Sequence, residues 1–468
     1  MADGSYTEFL KRKAKEFPPT GFEPPEVLHP ALFDYQSDVV RWALRLGRAA
    51  MFLGTGMGKT LAQLVWAMFV VLHTKGRVII LAPLAVARQT EREALRWGID
   101  GVKYLREDDG VTPIVVTNYD IADHFDMRVF VGMVADESSV FKSFTSKTLE
   151  TLMGLFAKTP YKLCCTATPA PNDYTELGNH AEFLGVCTRE EMLATFFVHD
   201  AAKTQDWRLK KHAQKDFWRW MASWSVMVRK PSDLGYSDAS HTLPALHMHH
   251  HVVKAADGIA RDAGILFASE ATTLASQRQA RRGSIGDRVT VARDLVLASP
   301  NEQWLLWVDL NDEGDAIQKA VTGCAQIAGA DDNDVKEARI LGFVEGDVRY
   351  LVTKPKIAGF GVNLQNCAHV AFVGLTHSFE VLYQSIRRCW RFGQKREVHV
   401  HLIVSEAELA VVENVKRKEA DAERMATAMV EAMRETQWAA VKGTVRQTDA
   451  YNPTMPMRVP SWLQTERV

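Results

Sequence analysis

Leu53-Gly54-Thr55-Gly56-Met57-Gly58-Lys59-Thr60 is the stretch around which the rest of this chain is organised. Four apolar residues, Ala49-Ala50-Met51-Phe52, precede it and read as a strand. Residues 61–73 follow; they are mostly apolar, open with helix formers and read as a helix. A strand, a tight Gly-rich turn and a helix together make a phosphate cradle. Glycines let backbone N–H groups approach phosphate oxygens, and the helix N-terminus adds partial positive charge. In that frame Lys59 reaches the β- and γ-phosphates of ATP and the Thr60 hydroxyl binds Mg²⁺. The strict pattern has Gly six residues before the Lys, where this chain has Leu53. An ordinary Gly-rich turn from strand to helix would leave a similar trace, so the neighbouring segments have to decide.

Downstream, apolar runs end repeatedly in polar residues. Arg77-Val78-Ile79-Ile80-Leu81-Ala82-Pro83 and Pro113-Ile114-Val115-Val116-Thr117-Asn118-Tyr119 read as buried parallel strands, with a charged helix over 86–97 between them. Phe130-Val131-Gly132-Met133-Val134-Ala135 runs into Asp136-Glu137, and Tyr161-Lys162-Leu163-Cys164-Cys165 into Thr166-Ala167-Thr168-Pro169. This alternation predicts an open, doubly wound α/β sheet with its ligand at the C-terminal strand edge. There Asp136 would hold Mg²⁺ and Glu137 would orient and deprotonate the attacking water. Upstream, Gln36 follows Leu32-Phe33-Asp34-Tyr35 and starts a helical stretch running to about residue 48. Its amide can both donate to and accept from an adenine edge.

At 468 residues the chain exceeds one core, and two to three domains are expected. A net charge of −1 gives no global basic field, so a nucleic-acid site has to be a local groove. The six cysteines form no C-x-x-C pair, which argues against a disulfide frame or a Cys-based zinc site and for free thiols in a reducing cytoplasm. Lys11, Arg12, Lys13 and Lys15 are followed by no apolar signal core, and residues 61–72 are too short to span a bilayer, so no membrane partner is expected.

Residues 1–30, with Pro18-Pro19, Pro24-Pro25 and Pro30, read as a lead-in. Phe217, Trp220, Met221 and Trp224 lie on one helical face behind the basic residues Lys203, Arg208, Lys210, Lys211 and Lys215. A core stripe beside a solvated face is the favoured reading over a nucleic-acid contact. Residues 227–235 read as an inter-domain connector. His247, His249 and His251 share one face of a strand, but no Cys or carboxylate cluster lies nearby in sequence, so a plain amphipathic strand is expected rather than a metal site. A second α/β domain begins near residue 250, with strands around 303–308, 348–353, 370–373 and 398–404 and no phosphate loop of its own. An Ala- and Glu-rich helix follows over 405–436.

Two stretches of this second domain carry a resemblance. They are Thr353 through Asn366, with Ala358-Gly359-Phe360-Gly361-Val362-Asn363-Leu364-Gln365, and Tyr383-Gln384-Ser385-Ile386-Arg387-Arg388-Cys389-Trp390-Arg391-Phe392-Gly393-Gln394. They resemble motifs V and VI of superfamily-two helicases in the form carried by Swi/Snf-type ATPases. Arg388 and Arg391 lie three apart and share a helix face, placed to reach across a cleft as arginine fingers. The likeness implies two RecA-like (P-loop NTPase) parallel-sheet lobes in tandem with a C-terminal helical tail, divided as 1–30, 31–245, 246–405 and 406–468. It makes Gln36 the adenine-reading residue and Gly54 through Thr60 motif I, in a family that also lacks the first Gly. Pro83 through Trp97, with Arg88, resembles motif Ia, and Thr117-Asn118-Tyr119 motif Ib. These residues, with Thr353, are implied to touch nucleic acid. Asp136-Glu137 becomes motif II, Thr166 and Thr168 the coupling motif III, and residues 306–313 motif IV. Gly361 and Gln384 are implied to touch ATP from the second lobe. Ser138-Ser139 departs from the family's usual Gly-His, and Trp390 from a common His. The compact form resembles stand-alone proteins of bacterial viruses and prophages. A monomeric, DNA-stimulated, MgATP-hydrolysing translocase or helicase is implied, cytoplasmic in a bacterial or phage-infected cell. A P-loop kinase and an ATP-binding nucleic-acid scaffold without motor activity stay open as alternatives.

Overall fold

A strand that is apolar at every position has two faces to bury, which suits a parallel sheet covered by helices on both sides. This chain contains two such sheets. The computed structural model describes residues 19–142, 152–170, 173–199, 207–254, 281–358, 363–375 and 378–441.

The first lobe opens with helix α1 (Asp34–Leu46), strand β1 (Arg48–Leu53) and helix α2 (Lys59–Thr74). Then come β2 (Arg77–Ala82), α3 (Leu84–Arg96), β3 (Val102–Tyr104), β4 (Ile114–Asn118), β5 (Phe130–Asp136) and β6 (Tyr161–Thr166). Helices α4 (Leu177–Leu184) and α5 (Arg189–Phe196), hairpin β7 (Phe197–His199) and β8 (Trp207–Leu209), helix α6 (Gln214–Trp224) and β9 (Ser225–Val228) complete it. The sheet order is β3-β4-β2-β5-β6-β1-β9, with every pairing parallel. The phosphate-loop strand β1 is therefore separated from the acidic strand β5 by β6. That order sets Thr166, at the end of β6, between Lys59 and Glu137.

The second lobe holds β10 (Leu246–Val253), α7 (Ile285–Ala298), β11 (Trp304–Trp307), α8 (Asn311–Ala320), β12 (Cys324–Ile327), α9 (Asn333–Glu345) and β13 (Tyr350–Thr353). Next are α10 (Pro355–Ala358), β14 (His369–Val373), α11 (Phe379–Cys389) and β15 (Val398–Ser405). Its sheet, β10-β15-β14-β11-β13-β12, is also parallel throughout. Glu313, at the end of the stretch likened to motif IV, lies in the first turn of α8 and is fully buried. One oxygen accepts from Arg281 and Arg288, at 3.0 and 2.7 Å, and the other from the backbone N–H groups of Asp309 and Leu310. Burying that carboxylate without these partners would be costly.

The favoured reading of the α6 face as a core stripe agrees with the burial: Phe217, Met221 and Trp224 are fully buried and Trp220 packs part-buried against their cluster; Lys203 lies outside the described residues. Other expectations shift. Met227 and Val228 are not connector: they belong to β9, paired with β1 at Phe52 and Leu53. The short edge strands β3 and β12 went unread because three or four residues carry little periodic signal.

The helical tail expected after the second lobe is present, and its packing is what the sequence did not disclose. Helix α12 (Leu409–Val441) leaves the second lobe and packs on the first. Met429, Val430 and Met433 join the buried cluster around α6, and Val441 joins the one around α1 and α2. The Trp438 indole donates to the Asp233 carbonyl at 3.1 Å, and Arg229 pairs with Glu423 at 2.6 Å. The two lobes are thus linked twice, by the connector and by this strap.

Candidate active site

The phosphate loop is held from below before any ligand enters. Met57 is 3% exposed, its side chain in the first-lobe core, and its carbonyl accepts from the Tyr35 hydroxyl at 3.0 Å and the Gln36 amide at 2.9 Å. The Gly54 N–H donates to Val228 O at 2.8 Å. Gly56 (φ 86°) and Gly58 (φ 77°) take left-handed conformations. A Cβ on Gly58 would strike the Gln36 amide, and one on Gly56 would lie 2.9 Å from the backbone nitrogen of Phe392, in the second lobe. Both glycines are therefore required by close approach as well as by backbone geometry. Thr55, Gly56, Gly58, Lys59 and Thr60 line the cavity between the lobes, while Gly54 and Met57 serve the loop from behind.

That cavity has a volume of about 250 Å³. Asp136, Glu137 and Thr168 form its wall in the first lobe, and Gln384, Arg387, Arg388, Arg391 and Phe392 form it in the second. Lys59 Nζ lies 3.4 Å from Glu137 Oε1, and the Thr166 hydroxyl donates to Glu137 Oε2 at 3.4 Å. The Thr168 N–H donates to the same hydroxyl at 3.2 Å. Thr168 Oγ1 is itself buried with no hydrogen-bond partner among the described residues. Glu137 has φ 52°, a conformation that costs a non-Gly residue about 1–3 kcal/mol and is typical of functional turns. Burial raises the Asp136 carboxyl to about 6, with help from Glu137. Burial also pushes Glu137 upward, but Lys59, Arg388 and the hydrogen bonds from Lys59 and Thr166 outweigh it and hold its carboxyl below the usual range. The two adjacent carboxyls are thereby set apart: Glu137 stays ionised, while Asp136 gives up its proton less readily.

From the second lobe, α11 carries Arg388, 6% exposed, and Arg391 follows its end. Burial lowers the Arg388 guanidinium to about 10 despite the nearby Glu137. Arg391 Nε is buried with no hydrogen-bond partner among the described residues. Buried cations facing a polar cavity are placed to receive an anion. Gln394 clamps this region: its amide donates to the carbonyls of Gln365 at 2.8 Å and Cys367 at 3.0 Å. Trp390, where a His is common, donates its indole N–H to Pro244 O at 2.7 Å, tying the end of α11 to the connector. The other departure has a partner too, since Ser138 Oγ lies 3.1 Å from buried His180 Nε2.

The Gln36 oxygen accepts from Phe33 N at 2.9 Å, so both ends of its amide are engaged on the protein. Gln36 braces the loop at the cavity edge in this structure. Thr117, Asn118 and Thr353 are buried, at 0, 5 and 1% exposed, and have no surface to give a nucleic acid. Asn118 caps the following turn by accepting from Asp120 N, and the Thr353 hydroxyl donates to Ile327 O at 3.1 Å. The Tyr119 hydroxyl donates to Asp136 O at 2.8 Å, bracing the acidic strand. Pro83 heads α3. Arg88, on the same helix, is half exposed and bonds Glu337 of α9 at 2.9 Å; Arg92 pairs with the same carboxylate. Gly361 lies outside the described residues. The sequence reading missed Phe33 and Phe392, which line the cavity and meet edge to face at 6.0 Å. The only trace was an aromatic beside each recognised motif.

Residues 287–393, from α7 to just past α11, match the family described as Helicase conserved C-terminal domain. Among solved structures, the chain is similar to "Sulfolobus solfataricus SWI2/SNF2 ATPase core in complex with dsDNA", at 16% identity and a TM-score of 0.42, over 90% of this chain and 99% of that one. No curated protein sequence matches it. Residues 287–393 of the second lobe are thus similar to a helicase C-terminal domain, and the chain carries two parallel-sheet α/β lobes in tandem. No helix among the described residues is long and apolar enough to cross a membrane.

Proposed function

We propose that this protein is a superfamily-two ATPase of the Swi/Snf type that hydrolyses MgATP between its lobes and moves along DNA as they close and open. One observation supports this most: Lys59, Asp136 and Glu137 face Arg388 and Arg391 across a single cavity. Neither lobe holds the full set. Thr60 and Asp136 offer hard oxygen donors on that cavity and would hold Mg²⁺, which when bound neutralises charge on the β- and γ-phosphate oxygens. Lys59 binds the phosphates, and Glu137 takes the proton of the water that attacks the γ-phosphorus. Arg388 and Arg391 offset the charge that develops as the bond to ADP breaks. Thr166 bonds Glu137 and Thr168, and so links the base to the coupling segment. DNA rather than RNA follows from the Swi/Snf character of the late motifs.

The test is ATP turnover with single-stranded, duplex and branched DNA, and with RNA alongside. Turnover rises with DNA. Turnover indifferent to every nucleic acid, with phosphate passed to another acceptor, would favour the kinase reading. Tight DNA binding without hydrolysis would favour the scaffold.

Arg88 and Arg92 are both paired with Glu337 across the lobes. A carboxylate there occupies cations that a phosphate backbone would use. Exposed pairs of this kind are individually weak, at about 0–1 kcal/mol. Glu337→Ala therefore tightens DNA binding several-fold at low salt, while Arg88→Ala with Arg92→Ala weakens it. The double Arg variant also flattens the log–log salt dependence by roughly 0.9 for each phosphate that is no longer neutralised. Fluorescence anisotropy over a salt series measures both, and unchanged affinity in both variants removes α3 from the DNA path.

A further inference from the structure

The face of the second sheet carries six histidines that the ATPase does not use. His247, His249 and His251 alternate along β10, facing His399 and His401 of β15 and, beyond them, His369 of β14. Parallel register sets His247 opposite His399 and His249 opposite His401. The rings stack, with centroids 4.8 Å apart for His247 and His399 and 4.6 Å for His249 and His401. Nitrogen meets nitrogen between the strands: His249 Nε2 is 3.2 Å from His399 Nδ1, and His251 Nε2 is 3.0 Å from His401 Nδ1. At the first rung the sheet adds a carboxylate that sequence distance concealed. Glu397, just before β15, places Oε2 2.9 Å from His247 Nε2.

We propose that His247, Glu397 and His399 bind a divalent transition-metal cation of the zinc class. One donor atom from each lies within 4.8 Å of the other two. Metal–nitrogen bonds of about 2.0–2.1 Å in a tetrahedron put neighbouring donors about 3.3 Å apart. The approach of His247 to Glu397, at 2.9 Å, and that of His249 to His399, at 3.2 Å, already sit near that spacing. Small side-chain movements close the set, and His249 or water supplies the fourth ligand. Two imidazoles with one carboxylate favour zinc, cobalt, nickel or copper over the oxygen-seeking Mg²⁺. None of the three lines the inter-lobe cavity, so this centre is separate from the one that holds MgATP. Its position gives it a structural consequence. β10 is an edge strand entered directly from the connector, and β15 is its sheet partner. A cation bridging them fastens the connector's end to the second lobe.

The experiment is calorimetric titration of Zn²⁺ into the full chain, free of any histidine tag and in the presence of Mg²⁺. Co²⁺ absorption serves as a second readout of tetrahedral geometry. One equivalent binds saturably. His247→Ala and His399→Ala each weaken it by at least the roughly 10–100-fold that losing an outer-shell partner costs. Glu397 is exposed, so Glu397→Gln keeps the fold and weakens binding even if a histidine variant fails to fold. His251→Ala, at the far rung, binds as the parent does. Absence of saturable binding, full affinity in Glu397→Gln, or equal loss in a folded His251→Ala overturns the assignment.

Discussion

Lys59→Ala and Glu137→Gln each abolish ATP turnover, for different reasons that binding measurements separate. Glu137→Gln keeps the loop, Lys59 and both arginines, so it still binds MgATP. It has lost the base, a change worth about 10²–10⁴-fold by itself. Lys59→Ala loses the cation on the phosphates and also frees Glu137. The Lys59 ammonium, 3.4 Å from Glu137, is the largest influence keeping that carboxyl low against burial. Without it the Glu137 carboxyl rises, and less of it is ionised at a given pH. The parent's kcat/KM consequently falls on the acid side through about 6, the range in which burial sets Asp136. That limb belongs to Asp136, since Glu137 is held below the usual carboxylate range. A nucleotide-binding assay alongside steady-state hydrolysis over pH 5–8 reads all of this. Normal turnover in either variant would place the chemistry elsewhere.

How the lobes move is constrained by the strap. α12 is anchored on the first lobe through Met429, Met433 and Trp438, yet it begins directly after β15 of the second. Val412 still sits in the second-lobe core, so if the lobes open as proposed, α12 takes up the movement between Val412 and Met429, together with the connector. Trp390 on Pro244 and Phe392 against Gly56 put the end of motif VI in touch with both the connector and the phosphate loop. A change at the triphosphate has a short route to the hinge.

The sequence disclosed the strands that end in chemistry. Leu53 through Thr60, Asp136-Glu137 and Gln384 through Gln394 combine local pattern with a fixed spacing, and the structure gathers members of all three on one cavity. Long-range packing left no such mark. Nothing local about Met429 or Met433 says that they complete a core built from α6, some two hundred residues earlier. Glu397 is likewise 150 residues from His247, so the carboxylate missing from the histidine strand became visible only with the parallel register. Thr117, Asn118 and Thr353 err the other way. Motif position implied an exposed role, but the C-terminal end of a central strand buried their side chains.

Arg388→Ala and Arg391→Ala each lower kcat by at least about 10³-fold, the scale of an arginine finger, with a much smaller change in ATP affinity. Arg388 is buried and Arg391 partly so, and removal from water weakens their hold on the proton relative to an exposed arginine. Arg391 carries an Nε with no hydrogen-bond partner among the described residues. In the nucleotide-free protein that arrangement is unfavourable, and an anion in the cavity relieves it. Function and stability then pull apart. Arg391→Gln leaves the melting temperature without nucleotide unchanged or raised, while nucleotide stabilises it less than the parent. Arg388→Lys and Arg391→Lys do not restore the rate, because a compact ammonium lacks the planar fork that meets two phosphate oxygens. The two losses do not multiply in the double variant, since both arginines serve one developing charge. Single-turnover hydrolysis with thermal melts in and out of nucleotide measures each quantity. Near-parent rates in both alanine variants would mean that the second lobe closes on the triphosphate without taking part in its hydrolysis.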